Sequence, residues 1–297
     1  MNAKLKTFLM ALVLVPCAFI FAACGGDQLS QAVSVDTSGN YQTATATEAQ
    51  TAATADTNLE GIDKGHRFQI EMNTKVGNET MRLKASLIYK ETTTATETKS
   101  IMAIRAEATN FSMAQMGDLE VNGKATLYYI DTNYVDAATE DTEEAYMDAN
   151  MTMSMGTSEM TVNGKYAIDL GDETNADLQS IVAMMASLRE MMAMFTPDNE
   201  AIVSWTDSNT YKIATEGTTT KIEVTIPEYK EGNDVLSPEY KVYFVMEDGK
   251  FVGMSTQMIL GSNSQKVAIS AFDGEVELPD FEGYTDTYTT PAATPAA

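Results

Sequence analysis

The residues of this chain that could do chemistry are its carboxylates and a single histidine. Acidic side chains are densest between residues 131 and 150, where Asp131, Asp136, Asp141 and Asp148 occur among glutamates with no basic residue. Hard cations such as Ca²⁺ bind several carboxylate oxygens, which makes this stretch a candidate cation site. The glycine that an EF-hand loop requires is missing, so we interpret the stretch as a solvated acidic loop and expect no metal site.

The remaining composition excludes several classes of function. One His and two Cys in 297 residues exclude a multi-His metal centre and a disulfide scaffold. A formal net charge of −24 excludes recognition of nucleic acid through its phosphates. His66 has no local motif that supplies a nucleophile and an orienting acid. We therefore expect no cofactor and no enzymatic activity, with an envelope hydrolase as a minor alternative because the many carboxylates offer possible catalytic pairs.

The N-terminus has the pattern of an export signal. Lys4 and Lys6 precede an apolar run from Phe8 to Ala23, and this run is short and contains Pro16. A basic region followed by a short apolar region is typical of a signal peptide, whereas a membrane-spanning helix needs about 20 apolar residues. We interpret residues 1–23 as a signal peptide.

The end of this segment, Phe21-Ala22-Ala23-Cys24-Gly25-Gly26, resembles the lipobox of bacterial lipoproteins. The family usually has Leu where Phe21 stands. The resemblance implies cleavage before Cys24 and attachment of a lipid to its thiol, which would anchor the protein to the outer face of the cytoplasmic membrane. Cys17 would be removed with the signal, so lipidation also explains why one thiol remains in an exported chain. Ordinary cleavage after Ala23 is the alternative.

Composition divides the rest of the chain into three parts. Residues 25–63 contain no Lys or Arg and are rich in Thr, Ala, Gln and Ser. Such a segment has little apolar surface to offset the entropy of ordering, so we predict a lipidated Cys24 followed by a disordered tether over 24–63. A single domain is predicted over 64–284, and a flexible Thr/Pro/Ala-rich tail over 285–297.

The domain is dominated by alternation of apolar and polar residues, which predicts antiparallel strands with one buried face. The clearest case is 145–155, where Ala and Met occupy every odd position. A three-stranded meander is predicted over 242–271, with turns at Asp248-Gly249 and Gly261-Ser262-Asn263. The pairs Asn122-Gly123 and Asn163-Gly164 predict two further hairpin turns.

One segment has the spacing of a long apolar helix. A capping box begins at Thr174, Pro197 ends the pattern, and the apolar positions between them recur every three or four residues. This stripe predicts a helix enclosed by a curved sheet. The fold class expected from the sequence is therefore α+β, a large curved antiparallel sheet packed on one long apolar helix and shorter helices.

The final segment, from Gln265 to Pro279, looks like the terminal strands of LolA/LppX-like lipoproteins. In that family a half-barrel covers helices and can enclose an acyl chain or another apolar ligand. With 20 Met in the chain, a plastic apolar cavity is one interpretation and ordinary core packing by Met is the other.

Two non-enzymatic functions follow from these patterns. The first is a membrane-tethered lipoprotein that carries a lipid or another apolar ligand, and the second is a surface interaction module with a filled core. The predicted partners are the membrane and an apolar ligand, and the sequence identifies no protein partner. The residues expected to line the cavity are Ile181, Met185, Leu188, Arg189, Met192 and Phe195.

Overall fold

The protein is nearly all-β. The computed structural model describes residues 27–54, 61–76, 79–113, 119–155, 158–170, 197, 202–232, 234–285 and 294–295. Within these ranges there are fifteen β-strands, one α-helix and two short 3-10 helices. The prediction of an α+β fold is wrong, although the antiparallel pairing of the strands agrees with the alternation in the sequence.

The α+β prediction rested on one apolar segment with helical spacing in addition to the alternating segments that predict strands. That segment, residues 174–195, lies outside the described residues. The α-helix that the structure does describe, α1 (Ala46–Ala53), was not predicted. No helix in the described ranges is long and apolar enough to cross a membrane.

The chain divides into two compact units. Among the described residues, the first unit contains 33–54, 61–70, 197 and 202–272, whereas the second contains 27–32, 71–170, 273–285 and 294–295. Strand β2 (Gly65–Val76) contributes residues to both. Each unit is built on antiparallel strands.

In the first unit the strands lie in the order β1-β8-β9-β12-β13-β14-β2. The meander predicted over 242–271 is confirmed by the pairing of β12 with β13 and of β13 with β14. A separate pair is formed by β10 and β11. The bounds are β1 Gln42–Ala44, β8 Thr210–Glu216, β9 Thr219–Ile226, β10 Tyr229–Glu231, β11 Asp234–Ser237, β12 Tyr240–Glu247, β13 Lys250–Leu260 and β14 Asn263–Ala271.

In the second unit long strands pair with their sequence neighbours in the order β3-β4-β5-β6-β7, and β15 follows β7. The strand predicted over 145–155 is confirmed as part of β6, and Met147, Ala149 and Met151 on its odd face are buried. The bounds are β3 Glu79–Thr93, β4 Glu97–Met113, β5 Leu119–Tyr134, β6 Thr142–Met155, β7 Ser158–Ile168 and β15 Thr294–Pro295.

The segment predicted to be a disordered tether is ordered where the structure describes it. Strand β1 pairs with β8, and Thr45 caps α1 in a capping box with Glu48. Ala49 and Ala53 of α1 are buried, as is Val33. Alanine and threonine give this segment little apolar surface, but its short side chains fit closely against a sheet, and tertiary packing supplies the burial that local composition does not.

The predicted turns have mixed outcomes. Asp248-Gly249 is a two-residue hairpin turn, because Glu247 pairs with Lys250. The second turn is one residue shorter than predicted: it contains Gly261 and Ser262, while Asn263 pairs with Leu260 and begins β14. Asp248 and Gly249 both have positive φ, 50° and 77°, as a type I′ turn requires.

The two Asn-Gly pairs do not form turns. Asn122-Gly123 lies inside β5 and Asn163-Gly164 inside β7. At Gly123 (φ 118°) the neighbouring strand β4 is irregular, and the Oδ1 atom of Asn122 accepts a 2.6 Å hydrogen bond from the backbone N–H of Asn110. The Asn-Gly pair therefore accommodates a β-bulge, which needs the same backbone freedom as a turn.

Candidate functional site

The residues selected from the sequence for lipidation and ligand binding lie outside the described ranges. They are Cys24 and the six cavity-lining candidates Ile181, Met185, Leu188, Arg189, Met192 and Phe195. The strand register of the second unit brings together other residues whose chemistry is informative, one set on each face of β3–β7.

One face of these strands carries a row of polar side chains. Strand pairing aligns five of them across five consecutive strands, and four are buried. We call this set the polar row, and its members are Ser86, Arg105, Thr126, Asp148 and Lys165. Lys165 is the exposed member.

Asp148 is the acidic member of the polar row. The residue is 7% exposed, and its Oδ2 atom accepts no hydrogen bond from any residue that the structure describes. Burial raises the pKa of its carboxyl group, against the opposing attraction of Lys165, Lys124 and Arg105. Cations lie near Asp148 without bonding to Oδ2, so desolvation prevails over charge attraction.

The rest of the row shows why the cations do not neutralise Asp148. The Nε atom of Arg105 donates a 3.4 Å hydrogen bond to Oγ1 of Thr126, and its Nη1 atom is 3.8 Å from Oε1 of Glu107. The Nζ atom of Lys165 lies 5.3 Å from the ring centre of Tyr284. Arg105 and Lys165 therefore each have another interaction on this face.

An aromatic cluster covers the apolar side of the polar row. Tyr128 and Tyr146 belong to the next aligned row, and Phe281 stacks on Tyr146 with ring centres 3.9 Å apart. Tyr284 contacts the same ring edge-on, and Thr285 bonds to the backbone of β7. Residues 281–285 therefore pack against this face, and Asp148 lies where a covered apolar region meets a polar one.

The opposite face of β3–β7 is apolar and contains a row of minimal side chains. Ala85, Ala106, Ala125, Ala149 and Gly164 are aligned across the five strands, and we call them the alanine row. Larger side chains flank it, among them Leu87, Ile104, Leu127 and Met147 on one side and Leu83, Met151 and Val162 on the other. All seven of these flanking side chains are buried.

The alanine row lies lower than the row of Leu87, Ile104, Leu127 and Met147 beside it, because its side chains end at Cβ, and on its other side Ala108 and Gly123 are also small. With strands about 4.8 Å apart, the four alanine positions extend over about 14 Å. The ring of Tyr166 lies against Gly164 at the end of the row. Methionine in the flanking rows adapts its shape easily to irregular apolar surfaces. The geometry of this face suits a long, thin apolar group.

The first unit contains a contrasting cluster of buried charges on β9. Glu223 accepts hydrogen bonds from Lys241 (2.9 Å), Lys212 (3.0 Å) and the Tyr243 hydroxyl (3.0 Å). Burial alone would raise the pKa of Glu223, but these three bonds together hold it below its usual value. Burial and the bond to Glu223 raise the pKa of Tyr243 to about 12.

The second charge of this cluster is Lys221, which is partnered by the N-terminal segment. Its Nζ atom lies 2.6 Å from Oδ2 of Asp36 and donates a 2.7 Å bond to the carbonyl oxygen of Ser38. The bond from Lys221 holds the pKa of Asp36 well below its usual range. The segment predicted to be a tether therefore supplies the partners of a buried lysine.

The other residues considered from the sequence have local structural contacts. Asp141 accepts a bond from the Tyr134 N–H, and Asp136 one from the Ala138 N–H. The described ranges contain no group of three or more His, Cys, Asp or Glu side chains that could hold a metal ion. His66 is buried, and its Nδ1 atom lies 2.8 Å from the carbonyl oxygen of Ile62. Burial lowers the pKa of His66.

Sequence reasoning missed both rows and the β9 cluster. Asp148 was counted as part of an acidic loop, although its even position within β6 was visible in the alternation. Its neighbours Arg105 and Lys165 come from strands that only the register aligns with it. No protein-family model matches this chain, and a search of curated proteins found no match.

Proposed function

We propose that this chain is a membrane-anchored extracytoplasmic lipoprotein that binds a lipid or another apolar ligand without catalysing a reaction. The observation that supports binding is the apolar face of β3–β7, where the alanine row runs beside a row of Leu, Ile and Met. Support for the anchor comes from the sequence Ala22-Ala23-Cys24-Gly25 after a signal-like segment. The likeness of residues 265–279 to LolA/LppX-like lipoproteins agrees with both parts.

The alternative is an interaction module whose apolar face is filled by the chain itself. One observation favours it, because Ala125, Leu127 and Met147 are at most 4% exposed in a structure without a ligand. The two functions make different demands on the alanine row. A ligand-binding face leaves space there, whereas a filled face contacts every Cβ of the row.

Ala125→Leu distinguishes these functions because it adds three carbons at the centre of the alanine row. If the row holds a ligand, the variant keeps the unfolding temperature of the ligand-free wild type and loses most of the lipid that co-purifies with it. If the row is filled by protein, overpacking lowers the free energy of unfolding by about 1–3 kcal/mol. Native mass spectrometry with organic extraction measures the lipid, and thermal unfolding measures stability.

The matched control is Ala103→Leu. Ala103 is as buried as Ala125, 1% exposed in both cases, but lies on the opposite face in the row of Tyr128. The same substitution there costs packing energy without affecting an apolar ligand on the alanine row. Wild-type protein that carries no lipid, before and after incubation with membrane lipids, would contradict the ligand-binding proposal.

The anchor is tested separately by Cys24→Ser in the full chain. We expect the wild type to incorporate labelled fatty acid and to sediment with membranes, and the variant to do neither, because a seryl hydroxyl does not accept the lipid. A wild type that incorporates no label would contradict the lipoprotein assignment, whatever the outcome for the apolar face.

A further inference from the structure

The hairpin of β13 and β14 ends in an exposed apolar tip. Leu260 pairs with Asn263 across a two-residue turn, in which Gly261 has φ of +62°. Pairing of β13 with the neighbouring strand β12 stops at Gln257, so residues 258–260 extend past the end of that strand. We call residues 258–265 the hairpin tip.

Two large aliphatic side chains are exposed next to each other at this tip. Ile259 is 56% exposed and Leu260 is 42% exposed. In the described ranges only Val135 and Tyr229 are other large apolar residues with comparable exposure, and they lie in separate loops or strands. A single exposed aliphatic residue needs no explanation, whereas two consecutive ones at the end of a hairpin indicate a contact surface.

The two side chains point in opposite directions. Successive residues of a β-strand alternate between its faces, so Ile259 and Leu260 make both faces of the tip apolar. A protein partner with a flat surface would cover one face and leave the other in water. An interface that surrounds the tip on all sides covers both, and the boundary region of a lipid bilayer does this.

The charge pattern favours the same partner. Residues 249–272 contain no Asp or Glu, although the chain has 43 acids, roughly one residue in seven. The tip itself carries no charge, and the nearest charged residue along β14 is Lys266. An acid-free, uncharged tip avoids the repulsion that anionic lipids exert on the rest of this protein.

We propose that the hairpin tip inserts into the headgroup region of the membrane to which the protein is tethered. The inference rests on the lipid anchor of the proposed function and adds a second membrane contact, made by Ile259 and Leu260. Two aliphatic side chains bind a bilayer weakly on their own. The anchor raises their effective concentration at the surface, so the contact persists in the tethered protein.

The test places an environment-sensitive fluorophore at the tip of the full-length lipidated protein. Leu260→Cys provides the only free thiol once Cys24 carries its lipid and Cys17 has been removed with the signal. The labelled protein is reconstituted into vesicles of phosphatidylcholine and phosphatidylglycerol. We expect blue-shifted emission and quenching by lipid-borne quenchers.

Val135→Cys is the matched control. Val135 is also an exposed aliphatic residue, 68% exposed, but it is flanked by Asp131, Asp136 and Asp141. Its label is expected to remain in water, with emission unchanged by vesicles. Equal quenching at positions 135 and 260 would overturn the proposal, since it would indicate general contact with the surface.

A second variant removes the apolar side chains without a label. Ile259→Ser combined with Leu260→Ser is expected to speed the transfer of the lipidated full-length protein between vesicles by about tenfold, because it removes the apolar side chains that add to the hold of the anchor. An unchanged transfer rate would overturn the proposal. Both residues are exposed, so the fold should persist, and circular dichroism checks this.

The outcomes separate the tip from the anchor. If the wild type does not float with vesicles, the anchor fails. If it floats while the label at position 260 stays in water, the tip proposal fails and the anchor stands. A label that is shielded in cells but not in protein-free vesicles also overturns the lipid assignment and indicates a protein partner.

Discussion

Glu223 in the first unit and Asp148 in the second are both buried carboxylates on antiparallel strands with several cations nearby, yet their pKa values shift in opposite directions. Glu223 receives three hydrogen bonds from Lys241, Lys212 and Tyr243. The Oδ2 atom of Asp148 receives none from the described residues. The number of directed bonds, and not the mere proximity of positive charge, decides whether the cost of burying the ionised form is offset.

This difference separates a structural cluster from a candidate binding group. A buried charge with satisfied hydrogen bonds holds the segment of its partners in place, as Lys221 does for Asp36 and Ser38. A buried carboxylate with an unused acceptor costs stability, and such a group calls for a partner, such as a ligand, an ion or a water. Asp148 can accept a hydrogen bond from a ligand when it is ionised and donate one when it is protonated.

The largest effect is expected when Glu223 is made to resemble Asp148. Lys212→Met with Lys241→Met leaves the Glu223 carboxylate buried with only the Tyr243 hydroxyl as a partner. We expect the free energy of unfolding to fall by about 3 kcal/mol at pH 7 and the pKa of Glu223 to rise above its usual value. Urea denaturation and NMR titration of the carboxyl carbon measure the two quantities.

Lys230→Met serves as the control for loss of a lysine. Lys230 and its partner Glu228 are both about half exposed, and such pairs contribute less than about 1 kcal/mol. If Lys212→Met with Lys241→Met lowers the free energy of unfolding no more than Lys230→Met does, the hydrogen bonds to Glu223 do not offset the cost of burying its carboxylate.

The substitution Asp148→Asn is expected to raise the free energy of unfolding at pH 7, which is the opposite direction from the lysine variant. Because its pKa is raised in the folded state, the wild type loses stability relative to Asp148→Asn as the pH rises past the ordinary value of 3.8. The variant should be more stable by about 1 kcal/mol at pH 7, the low end for an unsatisfied buried polar group, and equal to the wild type at low pH. Thermal unfolding from pH 3 to pH 8 measures the difference.

Glu223→Gln is the matching variant in the first unit, and its stability at pH 7 is expected to change in the opposite direction from that of Asp148→Asn. The pKa of Glu223 is lowered in the folded state, so its carboxylate stabilises the protein above the ordinary value of 4.5, and this stability is lost as the pH falls through the folded-state pKa. The Gln variant should therefore be less stable than the wild type at pH 7. If Asp148→Asn and Glu223→Gln changed the free energy of unfolding at pH 7 in the same direction, the distinction between the two sites would be refuted.

An effect similar in size to that of Asp148→Asn, but of opposite sign, is expected from Tyr243→Phe. The substitution removes one of the three bonds to Glu223 and leaves both lysines, so we expect a loss of about 1 kcal/mol and a partial rise in the pKa of Glu223. The ultraviolet titration of tyrosine should also lose a component with a pKa near 12. A loss as large as that of the double lysine variant would show that the hydroxyl, and not the ammonium groups, stabilises the carboxylate.

Prediction from sequence succeeded where the signal is local and periodic. Residues 145–155 alternate over eleven positions, and no other arrangement buries Met147, Ala149 and Met151 together. Asp248-Gly249 forms a turn because it joins two strands that pair directly. Asn122-Gly123 has an equally strong turn signal, but the strands around it continue, so the same backbone freedom is used at a bulge.

Prediction failed where neighbours distant in sequence decide the outcome. Residues 33–54 look too polar to fold, and they are ordered because β8 and the buried Lys221 supply partners about 170 to 185 positions away along the chain. Asp148 looks like one of many surface acids until the register places Thr126 and Lys165 beside it. A one-residue change in register would turn every one of these side chains to the opposite face.

The amino-acid sequence by itself therefore determined the strand character of most of the described chain, two of its turns, its strong negative charge and the lipobox-like pattern at Cys24. Those properties depend on neighbours a few positions apart. Tertiary structure alone decided the all-β class, the order in 33–54, the alanine row and the contrasting environments of Glu223 and Asp148. The physical reason is that hydrogen-bond partners and burial come from strand pairing between residues far apart in the chain, which no local pattern specifies.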